Sequence, residues 1–249
     1  MGDATSYTFF VSTGRCGTTS LTQYFSKMGD KHFKATGELV QAHHERPGPY
    51  SFLQRDQRAR ETSVAERLLR TPAHYIETSH GFAKWGYQDW LFPAISGKLN
   101  VVSLVRHPSE VAQSLAHRGT RVAGDSPWHL NPREATHFPY WDEAWDPVQQ
   151  FMWEWFEVQA RGLDIRDTIV PLGHHWHRIR FRQLARDTKT LARKLGLLYP
   201  HVSLPKLNVN GIKTPRENRE ELLKSFLDTL SPSGMKTAGN ILDQLEISA

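Results

Sequence analysis

The chain has 249 residues, a formal net charge of +5 from 31 Lys and Arg against 26 Asp and Glu, and 39% hydrophobic residues. That length buries a full core and suits one α/β domain, while a lone cysteine excludes an internal disulfide framework. The basic balance suits an anionic ligand, but the arginines are scattered with no Lys/Arg-rich run, so nucleic acid is the poorer partner.

A strand is expected over residues 7–11 and a helix over 18–28. Between them lies the most informative stretch of the chain, YTFFVSTGRCGTTSL at residues 7–21. A short apolar strand runs through a glycine-bearing turn into a hydroxyl-rich helix start, which is how an anion site is built. Gly14 and Gly17 let the backbone turn and approach a ligand, and the amides of the helix N-terminus point outward with the positive end of the dipole. Thr18, Thr19 and Ser20 add hydroxyls, and Arg15 adds a permanent charge in a planar fork. Cys16 reads either as a small filler of the loop or as a thiol acidified by the helix terminus. The loop lacks the lysine of the ATP-binding G-x-x-x-x-G-K-[ST] pattern.

An irregular basic stretch is expected to about residue 60, then a helix over 64–70, a strand over 74–78 and a short helix over 87–95. A buried strand over 100–105 and a helix over 108–117 follow, in LNVVSLVRHPSEVAQSL at residues 99–115. Arg106 stands at the strand's C-terminal end, where open α/β sheets place their ligands. Pro108 opens the helix, and Ser114 lies eight residues after Arg106. An arginine at a strand end and a serine on the next helix can together hold one phosphate.

Residues 118–146 break the rhythm with three prolines and five aromatics, as expected of a loop or lid over an acceptor site. A helix over 147–161 carries Val148, Phe151, Met152, Trp155 and Phe156 at the spacing of one buried face. A strand over 176–181, helices over 183–194 and 215–230, and a last short helix to about residue 245 complete the chain. Alternating strands and helices predict one α/β domain over 1–249, with a central parallel sheet flanked by helices.

The ordered pair of phosphate-binding segments, each following a strand, resembles the sulfotransferases that use 3′-phosphoadenosine 5′-phosphosulfate (PAPS). Arg15 to Ser20 is similar to their [KR]-x-G-T-[TS] loop around the 5′-phosphosulfate. Arg106, Pro108 and Ser114 match their R-x-P-x-x-x-x-x-S motif for the 3′-phosphate. The resemblance implies a P-loop-like fold, cofactor contacts from Gly14, Arg15, Cys16, Gly17, Thr18, Thr19, Ser20, Arg106 and Ser114, and adenosine 3′,5′-bisphosphate as product. HRIRFRQL at 177–184, with LGLL at 195–198, resembles the family's [YF]-E-D-L strand end. It implies Phe181 as the adenine-facing aromatic, although Arg182 and Gln183 replace the acidic pair. The R-K-G-x-x-G motif of the eukaryotic cytosolic enzymes is missing, and NVNGIKTPR at 208–216, with Lys213 and Arg216, stands in that region.

Three residues compete as the base that takes the acceptor's proton. Glu45, in AHHERPG at 42–48, resembles the H-E-P glutamate of carbohydrate-type enzymes. His80, in IETSH at 76–80, resembles the strand-end histidine of the cytosolic enzymes, and Glu77 is a third choice or an orienting partner. The reaction implied is sulfuryl transfer to a hydroxyl, less readily an amine, of a small-molecule or glycan acceptor. Two other readings stay open: a P-loop nucleotide kinase, and a non-catalytic nucleotide-binding module of the same fold. The histidine clusters at 43–44 and 174–177 lack the H-x-x-x-H spacing of helical ligands, and chance clusters are expected among thirteen histidines, so no metal is expected. No apolar run approaches the ~20 residues of a membrane span, and the first strand leaves no room for a signal peptide, so cytoplasmic residence is the expectation.

Overall fold

A computed structural model describes residues 6–26, 33–36, 74–78, 82–84, 92, 95, 97–117, 129–134, 137–195 and 216–247. Strands β1 (Ser6–Val11), β2 (Phe33–Thr36), β3 (His74–Glu77), β4 (Lys98–Val105) and β5 (His175–Arg180) form one sheet in the order β2-β3-β1-β4-β5. Every pairing is parallel. The parallel sheet flanked by helices is the architecture the alternation of elements predicts.

Burial explains the strand sequences. β1 and β4 lie inside the sheet, and all their residues except the first of each are buried, so both read as near-continuous apolar runs. β5 lies at an edge and carries only Ile179 fully buried, which is why HWHRIR tolerates so many polar residues. β2 is a correction to the sequence reading, which expects irregular chain there. Its four residues pair with β3 from Phe33↔His74 to Thr36↔Glu77.

Helices α1 (Thr18–Ser26), α2 (Pro108–Ala116), α3 (Pro147–Ile169), α4 (Leu184–Lys194), α5 (Arg216–Leu227) and α6 (Pro232–Leu245) complete the described elements. The helix expected over 215–230 ends at Leu227, and a new one starts after the Ser231 cap. The helices expected over 64–70 and 87–95 fall largely outside the described residues. None of the described helices is long and apolar enough to cross a membrane.

α3 is the spine of the molecule. Asp146 caps it by accepting from the amides of Val148 and Gln149, and Gln149 reciprocates on the Asp146 amide, a complete capping box. Phe151, Trp153, Trp155 and Phe156 are fully buried along it. It runs two turns beyond the expected end at residue 161. Gly162 is a close-approach residue rather than a terminator: a Cβ there would lie 2.8 Å from Val11 Cγ1.

Several aromatics in the described part of 118–146 pack inward. Phe138 stacks on Phe156, Trp141 meets Trp153 edge-on, and Trp145 meets Phe226. These rings cover the core rather than a ligand, and residues 118–128 of the expected lid lie outside the described residues.

Candidate functional site

The strand order sets the site. From β1 the chain goes to β2 at one edge, returns as β3 beside β1, then crosses to β4 on the other side of β1. The segments leaving the C-terminal ends of β1 and β4 are therefore neighbours at a topological switch point, the usual ligand position in an open parallel sheet.

The loop after β1 turns by left-handed backbone at three of four successive residues: Gly14 at φ 93°, Arg15 at φ 55° and Gly17 at φ 92°. For arginine this conformation costs on the order of 1–3 kcal/mol, and such strain marks a loop held for a purpose. Cys16 is buried, and its thiol donates to the Gly14 carbonyl at 3.1 Å. Burial pushes that thiol up, which removes the acidified reading and leaves Cys16 as the loop's internal filler. α1 starts at once, with Leu21 N–H donating to the Gly17 carbonyl at 3.0 Å. Thr18 is half-buried, Thr19 exposed and Ser20 buried. The hydroxyls of Thr22 and Thr78 are hydrogen-bonded, fixing α1 to the end of β3.

The two motifs meet. Arg15 Nε donates to Ser114 Oγ at 3.1 Å, and Arg106 Nη1 donates to the Arg15 carbonyl at 2.9 Å, across sequence separations of 99 and 91 residues. The indole of Trp155, on α3, donates to the Arg106 carbonyl at 3.0 Å and fixes the strand end. The Arg106 guanidinium lies over the Phe181 ring, 4.4 Å from its centroid, a cation–π contact.

Glu110 and Arg219 are site residues that the sequence reading misses. Arg106 Nε donates to Glu110 Oε2 at 2.9 Å, and Arg219, from α5, bonds Oε1 of the same carboxylate. Burial pushes the Glu110 carboxyl up, but the hydrogen bonds and charges of Arg219 and Arg106 overcome it and hold the group below the usual range. A cleft of about 270 Å³ opens here, lined among others by Arg106, His107, Phe181, Arg182 and Arg219. Burial lowers the His107 pKa and keeps the ring neutral. The i, i+4 placement of Arg106 and Glu110 is a sequence signal for this pair; nothing local points to Arg219.

The three candidate bases are not brought together among the described residues. Glu45 and His80 lie outside them, as does Lys213, and of Arg216 only the backbone is described. Glu77 is 2% exposed and accepts from the Tyr75 hydroxyl at 2.9 Å. No cluster of three or more His, Cys, Asp or Glu side chains fit for a metal ion occurs among the described residues.

Beneath the loop lies a buried charge cluster that sequence reasoning also misses. Lys84 is 1% exposed; its Nζ donates to Glu154 Oε1 at 2.6 Å and to the Thr13 carbonyl at 3.1 Å. Glu154 is fully buried and also accepts from Leu130 N–H, and His129 Nδ1 lies 2.8 Å from Oε2. Burial raises this carboxyl, but the Lys84 ammonium and His129 win and hold it down to about 2. The available signal was an acid inside an apolar helix: Glu154 interrupts FMWEWF at 151–156, and a carboxylate there needs a cation.

No family model and no curated protein matches the sequence. Among solved structures, the chain resembles the sulfotransferase domain from the Synechococcus PCC 7002 olefin synthase, with TM-score 0.53 and 14% identity over 100% of this chain and 97% of that one. It also resembles the sulfotransferase domain from the curacin biosynthetic pathway, with TM-score 0.54 and 14% identity over 98% of each chain. The fold is that of sulfotransferase domains, end to end.

Proposed function

We propose that the chain is a sulfotransferase that takes a sulfuryl group from PAPS to a hydroxyl of a small-molecule or glycan acceptor. The observation that carries this reading is the junction of Arg15, Ser114 and Arg106 at the ends of two adjacent parallel strands. The donor set fits the cofactor by its chemistry. A glycine-bearing, left-handed loop at a helix N-terminus suits a 5′-phosphosulfate, and Arg106 with Ser114 suits a 3′-phosphate. The Phe181 ring at the same cleft supports a place for a flat base.

When bound, the cofactor would supply the sulfuryl group for the acceptor hydroxyl, with adenosine 3′,5′-bisphosphate as the leaving product. Arg15 stabilises the charge that collects on the leaving oxygen, and its guanidinium cannot act as an acid. The hydroxyls of Thr18 and Thr19 and the amides of Gly17 to Thr19 would hold the phosphosulfate group. Glu45 is the first choice for the base that takes the acceptor's proton and His80 the second; the buried Glu77 suits an orienting role.

Calorimetric titration with adenosine 3′,5′-bisphosphate, AMP and ATP tests the reading. Wild type should prefer the bisphosphate, and Arg106→Ala should lose that preference by about tenfold or more, the scale of a charge-assisted contact. Equal binding of AMP, or preference for ATP with Mg²⁺, would sink it.

A further inference from the structure

Both ends of one peptide plane at the start of the phosphate loop are clamped. The Thr13 carbonyl accepts from the buried Lys84 ammonium at 3.1 Å, and the next amide, Gly14 N–H, donates to Ser12 Oγ at 3.0 Å. Ser12 and Thr13 are themselves buried. A trans peptide holds its C=O and N–H on opposite sides, so a flip of this plane would break both bonds at once. The plane immediately precedes the left-handed pair Gly14 and Arg15, and its orientation determines where the loop amides and the Arg15 side chain point.

We propose that Lys84 is a positioning residue for the phosphate loop: through the Thr13 carbonyl it holds the conformation that receives the 5′-phosphate end of the nucleotide. The inference rests on the nucleotide-binding reading above and adds to it a residue that touches no ligand. Simple core filling does not account for this lysine, because apolar side chains of similar volume commonly replace a buried ion pair without loss of stability. What an apolar replacement cannot supply is the donor on Thr13. Glu154 serves this role by fixing the ammonium from the far side, and its bonds to His129 and Leu130 N–H tie the pair to the chain ahead of α3.

The test compares two ligands that differ only in the group the loop would hold: adenosine 3′,5′-bisphosphate and adenosine 3′-monophosphate, titrated calorimetrically into the full chain. Lys84→Met alone would strand the Glu154 charge, so the variant is Lys84→Met with Glu154→Gln, which removes both charges and keeps an acceptor for Leu130 N–H. The affinity ratio between the two ligands should fall by about tenfold in this variant, while binding of the 3′-monophosphate stays within about twofold. A general loss of packing would weaken both ligands alike. Ser12→Ala releases the other end of the same peptide without touching a charge and should lower the ratio in smaller measure; it decides the matter if the double variant does not fold. An unchanged ratio in the folded variant overturns the role of Lys84. A wild-type chain with no preference for the bisphosphate overturns the nucleotide reading and the inference with it.

Discussion

At the residue scale, the inward-facing acids of α3 show how charge is accommodated in this core. Removing one partner of a buried pair leaves an uncompensated charge at a cost of about 3–5 kcal/mol, so each acid is held from several sides. Glu157 accepts from Arg161 Nε at 2.7 Å and from the amides of Phe138 and His137 at 2.5 and 3.1 Å. His137 lies between Glu157 and Asp164, at 3.8 and 3.5 Å, with Arg161 opposing. The Glu157 hydrogen bond outweighs burial and the Arg161 charge, and raises the His137 pKa. A folded pKa above the unfolded value of about 6.5 gives stability that is fully present below that value and lost as pH rises through the folded pKa. The melting temperature of wild type should therefore exceed that of His137→Gln at about pH 6, and the gap should narrow by about pH 8.5. A gap independent of pH would show that the imidazolium contributes nothing. Arg15, Arg106 and Ser114 were legible in the sequence because each belongs to a motif of fixed local spacing. Lys84 and Arg219 were not, because the acids they pair with lie 70 or more residues away and only the fold supplies them.

At the element scale, the approach of α3 to β1 is set by one missing methyl group. Gly→Ala in a helix interior normally stabilises by about 1 kcal/mol. At Gly162 the new methyl would meet Val11 Cγ1 at 2.8 Å, and Val11 is a stiff, β-branched, fully buried residue at the end of β1, directly before the left-handed loop. Overpacking typically costs about 1–3 kcal/mol, so the clash should win. Gly162→Ala should lower the melting temperature by several degrees, at about 2–4 °C per kcal/mol for a chain of this size. Val11→Ala should cost less in that background than in wild type, a coupling that a double-mutant cycle measures; strict additivity would mean the helix does not press on Val11. The same contact explains why the length of α3 was hidden: a glycine after a basic residue reads locally as a helix end, and only the sheet beneath makes it a spacer. β2 was hidden for a related reason. Four residues carry no periodicity, and the strand exists through its pairing with β3, about forty residues on. The interior strands β1 and β4 were legible because burial on both faces writes a continuous apolar run into the chain.

At the scale of the whole molecule, the candidate site joins elements distant in sequence, and this makes ligand binding a stability measurement. The loop after β1, the start of α2, the turn at Phe181 and the N-terminal half of α5 meet through Arg15, Arg106, Glu110 and Arg219. A ligand that binds the folded chain alone stabilises it by about 2.7 kcal/mol at a hundred times its dissociation constant. For this chain length that corresponds to a rise in melting temperature of about 5–10 °C. Adenosine 3′,5′-bisphosphate should produce such a rise within a single transition, because no part of the site can open without breaking contacts between elements. Arginine–phosphate attraction weakens as salt shortens the screening length from about 10 Å at 0.1 M to about 3 Å at 1 M, so the rise at fixed ligand concentration should shrink with added salt. Adenosine, with neither phosphate, should give little rise at any salt. A rise that salt leaves untouched, or that adenosine matches, would place the binding energy in the base rather than in the arginines. It would also break the link between this fold's switch point and a doubly phosphorylated ligand.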